Sequence, residues 1–347
     1  MGKPTPRQLQ LFFKSLVPYK DQPPGQNQTY QNLLVHLSDM VFLVQRLSHS
    51  IRQFSKLDNH HHHSEASSAS LQTFRSHVSN CLNQLSLDSK PGFKYWSLPW
   101  IHRCFKLLPV VNEAFAKLAV DMDYPMSKWE AISIEEYFQY SLNLLEHLNS
   151  IRSALAHLSQ ARVSLSHALS LVENSPSLAM EYLRKIQSKK LRKEFEMKGI
   201  EEREDMPCSG KELVVHEALT IVKNIETWVC GIVLSGLCSD AKPYMMMRKS
   251  AALFVDSSLK ALDSSVCREI EEKQGVLKEF KEVNDAVDCL VEALDNGEAH
   301  EAVKELEGRL EVIEMVLQCI GKELDCLFSN VLAGRDELIE ILRQKSQ

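Results

Sequence analysis

The chain has 347 residues, of which 44% are hydrophobic, and its formal net charge at pH 7 is -6. A chain of this length and hydrophobic content can bury a sizeable core, so global disorder is excluded. This net negative charge argues against nucleic-acid binding by the molecule as a whole. Glycine and proline number only 12 each and strand-like alternation is scarce, so we expect an almost wholly α-helical protein.

The nine cysteines include no Cys-x-x-Cys pair, which indicates a reducing compartment rather than a disulfide framework. The first apolar cluster, residues 9–13, is too short for a secretory signal peptide. The first twenty residues are basic and free of acids, but they contain a single serine, Ser15, so their likeness to a plastid transit peptide is weak. We therefore expect a cytoplasmic protein, with peripheral contact to an internal membrane left open, a plastid location less favoured and secretion excluded.

In chain order, residues 1–28 are rich in proline and glutamine and are predicted to form an irregular arm ahead of one helical domain at residues 29–347. Apolar residues at helical spacing between Leu33 and Phe54 predict the first helix. A His/Ser-rich loop is predicted at residues 58–70. It contains the run His60–His63, whose imidazoles can chelate metal but lack an ordered partner set, so a solvated loop is expected.

Two further helices precede the middle of the chain. The first is predicted over residues 71–85. The second is expected to be capped by Ser97 and to carry Pro99 in its first turn, where proline sacrifices no internal hydrogen bond. Pro109 lies deeper inside, so we expect it to kink or divide that helix.

Ser133 and Glu136 form a capping box that predicts the start of a long helix ending near Pro176. Its apolar residues repeat at steps of three and four, and such a seam must be covered by other helices. The seam residues are Tyr137, Leu144, Leu148, Ile151, Leu155, Leu158, Leu165, Leu169 and Val172, with Ser141 and Arg162 at the remaining positions.

The segment after Pro176 is strongly charged, and we expect a solvated helix that fades into a charged loop at residues 196–210. Its basic residues include Arg184, Lys185, Lys189 and Lys190. An exposed helix face is the plainer interpretation of this cluster, and binding to anionic lipid or a role in nuclear import is the alternative.

The most apolar window of the chain is residues 228–238, which begins at Trp228. A helix needs about twenty residues to cross a bilayer, and Glu226 and Asp240 bound this window, so we expect a buried core helix. The alternative is a membrane-inserted protein in which Trp228 contacts lipid.

Three helices are predicted after this window. The first begins at the Met245-Met246-Met247 run, and the second covers residues 264–294 and stops at the turn signal before Gly297. After Asp263 acids outnumber bases about two to one, which predicts an acidic, solvated exterior. The last helix carries a second seam of Val303, Leu306, Leu310, Ile313, Leu317, Ile320, Leu324, Leu327 and Val331.

The usual catalytic patterns are absent from the sequence. There is no glycine-rich phosphate loop and no Gly-x-Ser-x-Gly nucleophile, and the zinc-protease-like start at His216 has Thr220 where the second histidine belongs. His147, His157 and His167 recur at ten-residue steps, and each step rotates them off a common helix face, so we expect surface histidines. We therefore predict no enzyme, no cofactor and no metal, with an unrecognised catalytic or small-molecule site as the alternative.

Two stretches carry a family resemblance. Residues 327–339, LFSNVLAGRDELI, resemble the ending of the plant BYPASS-related proteins. Residues 97–101 (SLPWI), 125–129 (PMSKW) and 136–138 (EYF) resemble that family's central segment in order and spacing, so the likeness covers most of residues 95–347. The amino-terminal region departs from the family, since it has no Phe-Phe-Pro-Phe-like opening.

The resemblance implies a plant protein that acts in development, with relatives linked to root-to-shoot signalling or to secretion and exocyst partners, and without known catalytic residues. It also implies that relatives carry a stretch sometimes called transmembrane at the position of residues 228–238. We therefore expect a non-enzymatic regulator that works through contacts with secretory or signalling proteins, without nucleic acid. The oligomeric state stays open.

The fold that we predict is an all-α, elongated antiparallel bundle of long helices with coiled-coil-like seams. Gly334 stands where the terminal seam expects its next apolar residue, so we expect a close helix crossing with Arg335 and Asp336 exposed or paired. Docking of a partner by Arg335 and Asp336 is the alternative, since arginine is enriched at protein interfaces.

Overall fold

The computed structural model describes residues 64–87, 96–186, 210–250 and 257–345. Within these ranges the chain forms nine α-helices and one short 3-10 helix at Met126–Lys128, with no strand, so the predicted all-α class is confirmed. The α-helices are α1 (Ser64–Leu87), α2 (Leu98–Asp121), α3 (Ala131–Leu171), α4 (Pro176–Tyr182), α5 (Lys211–Cys238), α6 (Lys242–Ser250), α7 (Ser257–Glu272), α8 (Lys278–Asn296) and α9 (His300–Lys345).

The chain divides into two units. One is His61–Leu338, and the other combines Met1–His60 with Ile339–Gln347. Of the second unit only residues 339–345 are described, and they form the last turns of α9. The arm at residues 1–28, the helix from Leu33 to Phe54 and the His60–His63 run lie outside the described residues. The boundary between arm and domain, the elongated antiparallel arrangement and the coiled-coil packing therefore stay predictions.

Helix α1 begins at Ser64, so the predicted loop at residues 58–70 is wrong from that residue onward. The Ser/Ala stretch that suggested a loop contains alanine, the strongest helix former, and it continues directly into an apolar face. That face is buried at Leu71, Phe74, Val78 and Leu82, which recur at helical spacing. Burial of this stripe explains why the helix extends to Leu87.

Helix α2 begins as predicted, with Pro99 in its first turn, but Ser97 makes no side-chain cap bond. The carboxylate of Glu279, in α8, accepts the Leu98 backbone N–H instead at 2.9 Å. Pro109 does not divide the helix, which continues to Asp121. A single proline removes one backbone hydrogen bond, and the buried residues of α2 on both sides of it keep the helix in place.

The predicted capping box of α3 is wrong. The helix starts at Ala131 with Glu130 at the N-cap position and no side-chain cap bond. Ser133 is buried at 1% exposure, and the Glu136 carboxylate accepts from His216 of α5 at 2.8 Å. The mid-chain seam is buried as predicted apart from Leu169, which is half-buried.

Helix α5 is the central apolar helix of the described residues, and all of residues 224–238 are buried. By length and composition it is the one helix of the described segments that could cross a membrane, with a mean hydropathy of 1.4 over its best 18-residue window. Residues 228–238 were predicted to be too short to cross a bilayer. This argument is wrong, because they belong to a helix of 28 residues. Burial supports the core interpretation instead, since 83% of that window is buried inside the protein.

The single helix predicted at residues 264–294 is wrong, because a turn separates α7 from α8. Gln274 and Gly275 both have left-handed backbone, with φ of 53° and 80°. A Cβ on Gly275 would lie 2.6 Å from the backbone nitrogen of Ala241, so this turn packs directly against the chain between α5 and α6. The predicted stop at Gly297 is confirmed, with Gly297 in left-handed conformation after α8.

Helix α9 buries the terminal seam as predicted, apart from half-buried Val303. At Gly334 an added Cβ would lie 2.9 Å from the Tyr137 hydroxyl of α3. The missing side chain therefore makes room for the tip of the Tyr137 side chain, and the predicted close crossing of the two helix backbones stays a prediction.

Candidate functional site

Trp228 was expected in a buried core helix, with contact to a partner or to lipid as the alternative, and the structure supports burial. Its side chain is 1% exposed, and its indole N–H donates to Asp263 Oδ1 at 3.1 Å. Asp263, from α7, is fully buried and also accepts from the Tyr244 hydroxyl and from Arg248 Nε at 2.8 Å. Burial raises the pKa of Tyr244, and its hydrogen bond to Asp263 adds to this effect. The network joins α5, α6 and α7, so Trp228 belongs to the core.

Arg335 was expected to be exposed or paired, with docking of a partner as the alternative, and it is only 5% exposed and paired within the chain. Its Nη1 donates to the Phe138 carbonyl at 2.7 Å and to the Ser141 hydroxyl, and its guanidinium lies 5.2 Å from the centroid of the Phe138 ring. Burial lowers the pKa of Arg335 to about 10. Arg335 therefore ties α9 to α3 beside Gly334. Asp336 is exposed and remains a candidate contact.

The predicted basic cluster is only partly described. Arg184 is exposed, with its Nε donating to the Glu181 carbonyl at 3.3 Å, and Lys185 pairs with Asp288 of α8 at 2.7 Å. Lys189, Lys190 and residues 196–209 lie outside the described residues. Binding of anionic lipid by this cluster stays a prediction.

A buried polar cluster that sequence reasoning missed lies between α3 and α5. His147 comes from α3, while Glu226 and Cys230 lie one turn apart on α5. His147 Nδ1 and the Glu226 carboxylate are hydrogen-bonded, and the ligand atoms of all three residues lie within 4.8 Å of one another. All three side chains are buried. The prediction of a surface His147 is therefore wrong, because α5 covers this face of α3.

The electrostatics of the cluster are set by the Glu226 carboxylate. Burial opposes the charged form of His147, but the carboxylate outweighs it and raises the pKa of the imidazole. Burial, together with the same carboxylate, raises the pKa of Cys230 well above its usual value. Tyr140 follows the same pattern, with its pKa raised by burial and then by Glu226, and its hydroxyl donates to Asn112 of α2 at 2.8 Å. The raised pKa of His147 favours an imidazolium that faces this carboxylate, and the raised pKa of Cys230 favours a neutral thiol.

The other singled-out histidines do not join this cluster. His157 is half-buried, and His167 is exposed and packs edge-on against Tyr182 with ring centroids 5.0 Å apart. His216 pairs with Glu136, and its neighbour Glu217 pairs with Arg75 of α1 at 2.7 Å. His216 and Glu217, which resemble the start of a zinc-protease motif, therefore bind side chains of neighbouring helices.

A second feature that sequence reasoning missed is an exposed stripe on α9. It repeats at helical steps, offset by two residues from the buried seam, and is called here the α9 stripe. Its members are Gly308, Val312, Met315, Cys319 and Cys326, of which Cys319 is half-buried, and the exposed Lys322 occupies the position between the two cysteines. Val312 is 45% and Met315 is 61% exposed, and a Cβ on Gly308 would meet no atom within 4 Å. The sequence contained a sign of this stripe, a second repeat of small and apolar residues on the side of α9 opposite to the buried seam.

Comparison of the sequence with known proteins identifies its family. Residues 126–339 match the family model described as Protein BPS1. The chain is 25% identical to "Protein BPS1, chloroplastic" of Arabidopsis thaliana over 293 residues, which cover 79% of this chain and 83% of the relative. No solved structure matches the chain.

Two rice proteins are also similar to the chain. It is 26% identical to "UPF0496 protein 4" of Oryza sativa subsp. japonica over 229 residues, covering 61% of this chain and 46% of that protein. It is 21% identical to "UPF0496 protein 4" of Oryza sativa subsp. indica over 213 residues, covering 56% and 47%. The chain thus spans about half the length of these rice relatives.

The name of the Arabidopsis relative carries the word chloroplastic, and this contradicts the cytoplasmic location predicted above, in which the plastid was less favoured. The prediction gave more weight to the scarcity of serine than to the basic, acid-free start of the chain. The α3–α5 cluster and the α9 stripe both lie inside the matched residues. The chain belongs to the Protein BPS1 family, which confirms the resemblance to BYPASS-related proteins.

Proposed function

We propose that this protein is a non-enzymatic regulator of plant growth and development that works in the plastid by protein contact through the α9 stripe. Family membership supports the developmental role, and the name of the Arabidopsis relative supports the plastid. The observation that carries the contact mechanism is the exposure of Val312 and Met315 on a helix whose opposite face is already buried.

The chemistry of the stripe favours one kind of partner. Neighbouring apolar anchors at steps of three and four fit the apolar face of another helix. Glu307 and Glu311 are exposed along one border of the stripe, so a partner helix with basic residues beside its apolar face complements it in charge. The partner proposed is therefore a plastid protein that presents an apolar helix face with basic flanks.

The experiment compares proteins isolated from plant plastids. Tagged wild-type chain and the double variant V312E/M315E are purified, and co-purifying proteins are identified by mass spectrometry. The binding of the captured partner to purified chain is then measured by calorimetry. We expect the double variant to bind at least about tenfold more weakly, because two carboxylates replace apolar anchors beside an acidic border.

A matched control is available in α2. Val120 is 77% exposed and lies outside the stripe, so V120E adds a carboxylate to an exposed valine without touching α9. We expect V120E to bind like the wild type, and all three proteins to have similar stability because the changed side chains face solvent. Equal affinity of the double variant and the wild type would contradict contact through the stripe, and turnover of a metabolite by the purified chain would contradict a non-enzymatic role.

A further inference from the structure

The α3–α5 cluster combines three donor types that a transition metal uses. His147 offers an imidazole nitrogen, Glu226 a carboxylate oxygen and Cys230 a sulfur. Zinc accepts this mixture of ligands, whereas magnesium and calcium prefer oxygen alone. From these residues we propose that the chain binds one zinc ion between α3 and α5, a role independent of the proposed contact at the α9 stripe.

The geometry is close to what zinc requires. Zinc bonds of about 2.0–2.3 Å place tetrahedral ligand atoms roughly 3.3–3.8 Å apart. The ligand atoms of the cluster lie within 4.8 Å of one another, so small side-chain rotations bring them to these separations. The ion takes the place of the hydrogen bond between His147 and Glu226, whose atoms move apart to become two of its ligands. On binding, the imidazole of His147 and the thiol of Cys230 each release a proton to solvent.

Charge balance permits the ion in this buried position. Burial of an isolated charge is costly, and the three side chains of the cluster lie inside the protein. A zinc ion bound by a carboxylate, a thiolate and a neutral imidazole forms a complex without net charge, so burial of this complex does not place an isolated charge inside the protein. Three protein ligands leave a fourth position that a water molecule can fill.

The position of the cluster predicts what the ion does. Glu226 and Cys230 lie in the most buried part of α5, and His147 lies on the buried seam side of α3. A zinc ion bonded to both helices links them without altering the exposed surface. It therefore stabilises the fold and is not expected to change the affinity of the α9 stripe for its partner.

The test uses the full chain, freed of metal with a chelator and titrated with cobalt, a spectroscopic probe for zinc sites. We expect one cobalt ion per chain with a near-ultraviolet thiolate-to-cobalt band and the strong visible bands of tetrahedral coordination, both lost when zinc is added. The thiolate band separates this site from binding by His60–His63, since that run contains no sulfur.

Variants locate the site. Cys230→Ser is expected to abolish the thiolate band and Glu226→Gln to weaken zinc binding at least about tenfold, since each removes an anionic ligand. Cys238→Ser is the control, because Cys238 is a buried cysteine of the same helix outside the cluster. Zinc is expected to raise the melting temperature of the wild type and of C238S, and to leave that of C230S unchanged.

The wild-type chain alone can overturn the proposal. If it develops no thiolate-to-cobalt band, the cluster is only a hydrogen-bonded contact between α3 and α5, whatever the variants do. A band of equal strength in C230S would place the metal on another cysteine and would likewise overturn the assignment.

Discussion

Replacement of Asp263 by alanine is expected to lower the free energy of unfolding by about 3–5 kcal/mol, as is usual when one partner of a buried charged network is removed. The carboxylate is fully buried and accepts hydrogen bonds from Trp228, Tyr244 and Arg248. Without it, the indole and phenol donors stay buried without that acceptor, and Arg248 loses its ion pair with this carboxylate. Urea unfolding at unchanged denaturant slope measures the loss.

Asp288→Ala is the matched control for this variant. Asp288 also pairs with one basic side chain, Lys185, at 2.7 Å, but both side chains are more than half exposed. Exposed ion pairs contribute little, so we expect a loss below about 1 kcal/mol. Similar small losses for both aspartates would show that the Asp263 network does not hold α5, α6 and α7 together.

The second large effect is expected at the turn between α7 and α8. Gly275→Ala should lower the free energy of unfolding by about 3–4 kcal/mol, from the left-handed backbone and from overpacking together. The φ of Gly275 is 80°, and an added Cβ would lie 2.6 Å from the nitrogen of Ala241 and 2.7 Å from the carbonyl carbon of Asp240. These are backbone atoms, so no rotation of a side chain relieves the overlap.

The variant Gly297→Ala separates the cost of the left-handed backbone from the cost of overpacking. Its φ is 78°, but a Cβ there would meet no atom within 4 Å, so Gly297→Ala carries the backbone strain alone. We expect it to cost about 1–2 kcal/mol. Chemical denaturation of both variants measures the difference, and a Gly275→Ala cost no greater than that of Gly297→Ala would disprove the close packing of this turn.

The helices were predictable because the relevant information is local. An a/d repeat places apolar residues on one side of a helix whatever covers it, so the seams of α3 and α9 were identified without knowledge of their partners. The start of α3 was predicted wrongly. Glu136 fits a capping box in the sequence, but in the structure it binds His216 from another helix. Gly275, a glycine inside a helical pattern, was a sign of the turn between α7 and α8. The prediction gave more weight to the apolar periodicity on both sides of this glycine and therefore continued the helix through it.

The functional features were harder to predict because they depend on packing. His147 and Glu226 are 79 positions apart, and comparing histidines along α3 alone could not show that α5 covers one of them. The available signal was Glu226 itself, since a carboxylate at the start of an apolar window needs a partner if that helix is buried. Arg335 was expected to be exposed or paired, but its partners could not be named, because nothing in the local sequence shows that the Phe138 carbonyl and the Ser141 hydroxyl accept its hydrogen bonds.

The most direct test of the proposed function is the growth of plants that lack this protein and are supplied with one version of it in the plastid. The versions are the wild type, V312E/M315E and V120E, each present at the same level. We expect the wild type and V120E to restore root and shoot growth and the double variant to fail, because only the double variant alters the α9 stripe. Full restoration of growth by V312E/M315E would contradict regulation by contact through this surface.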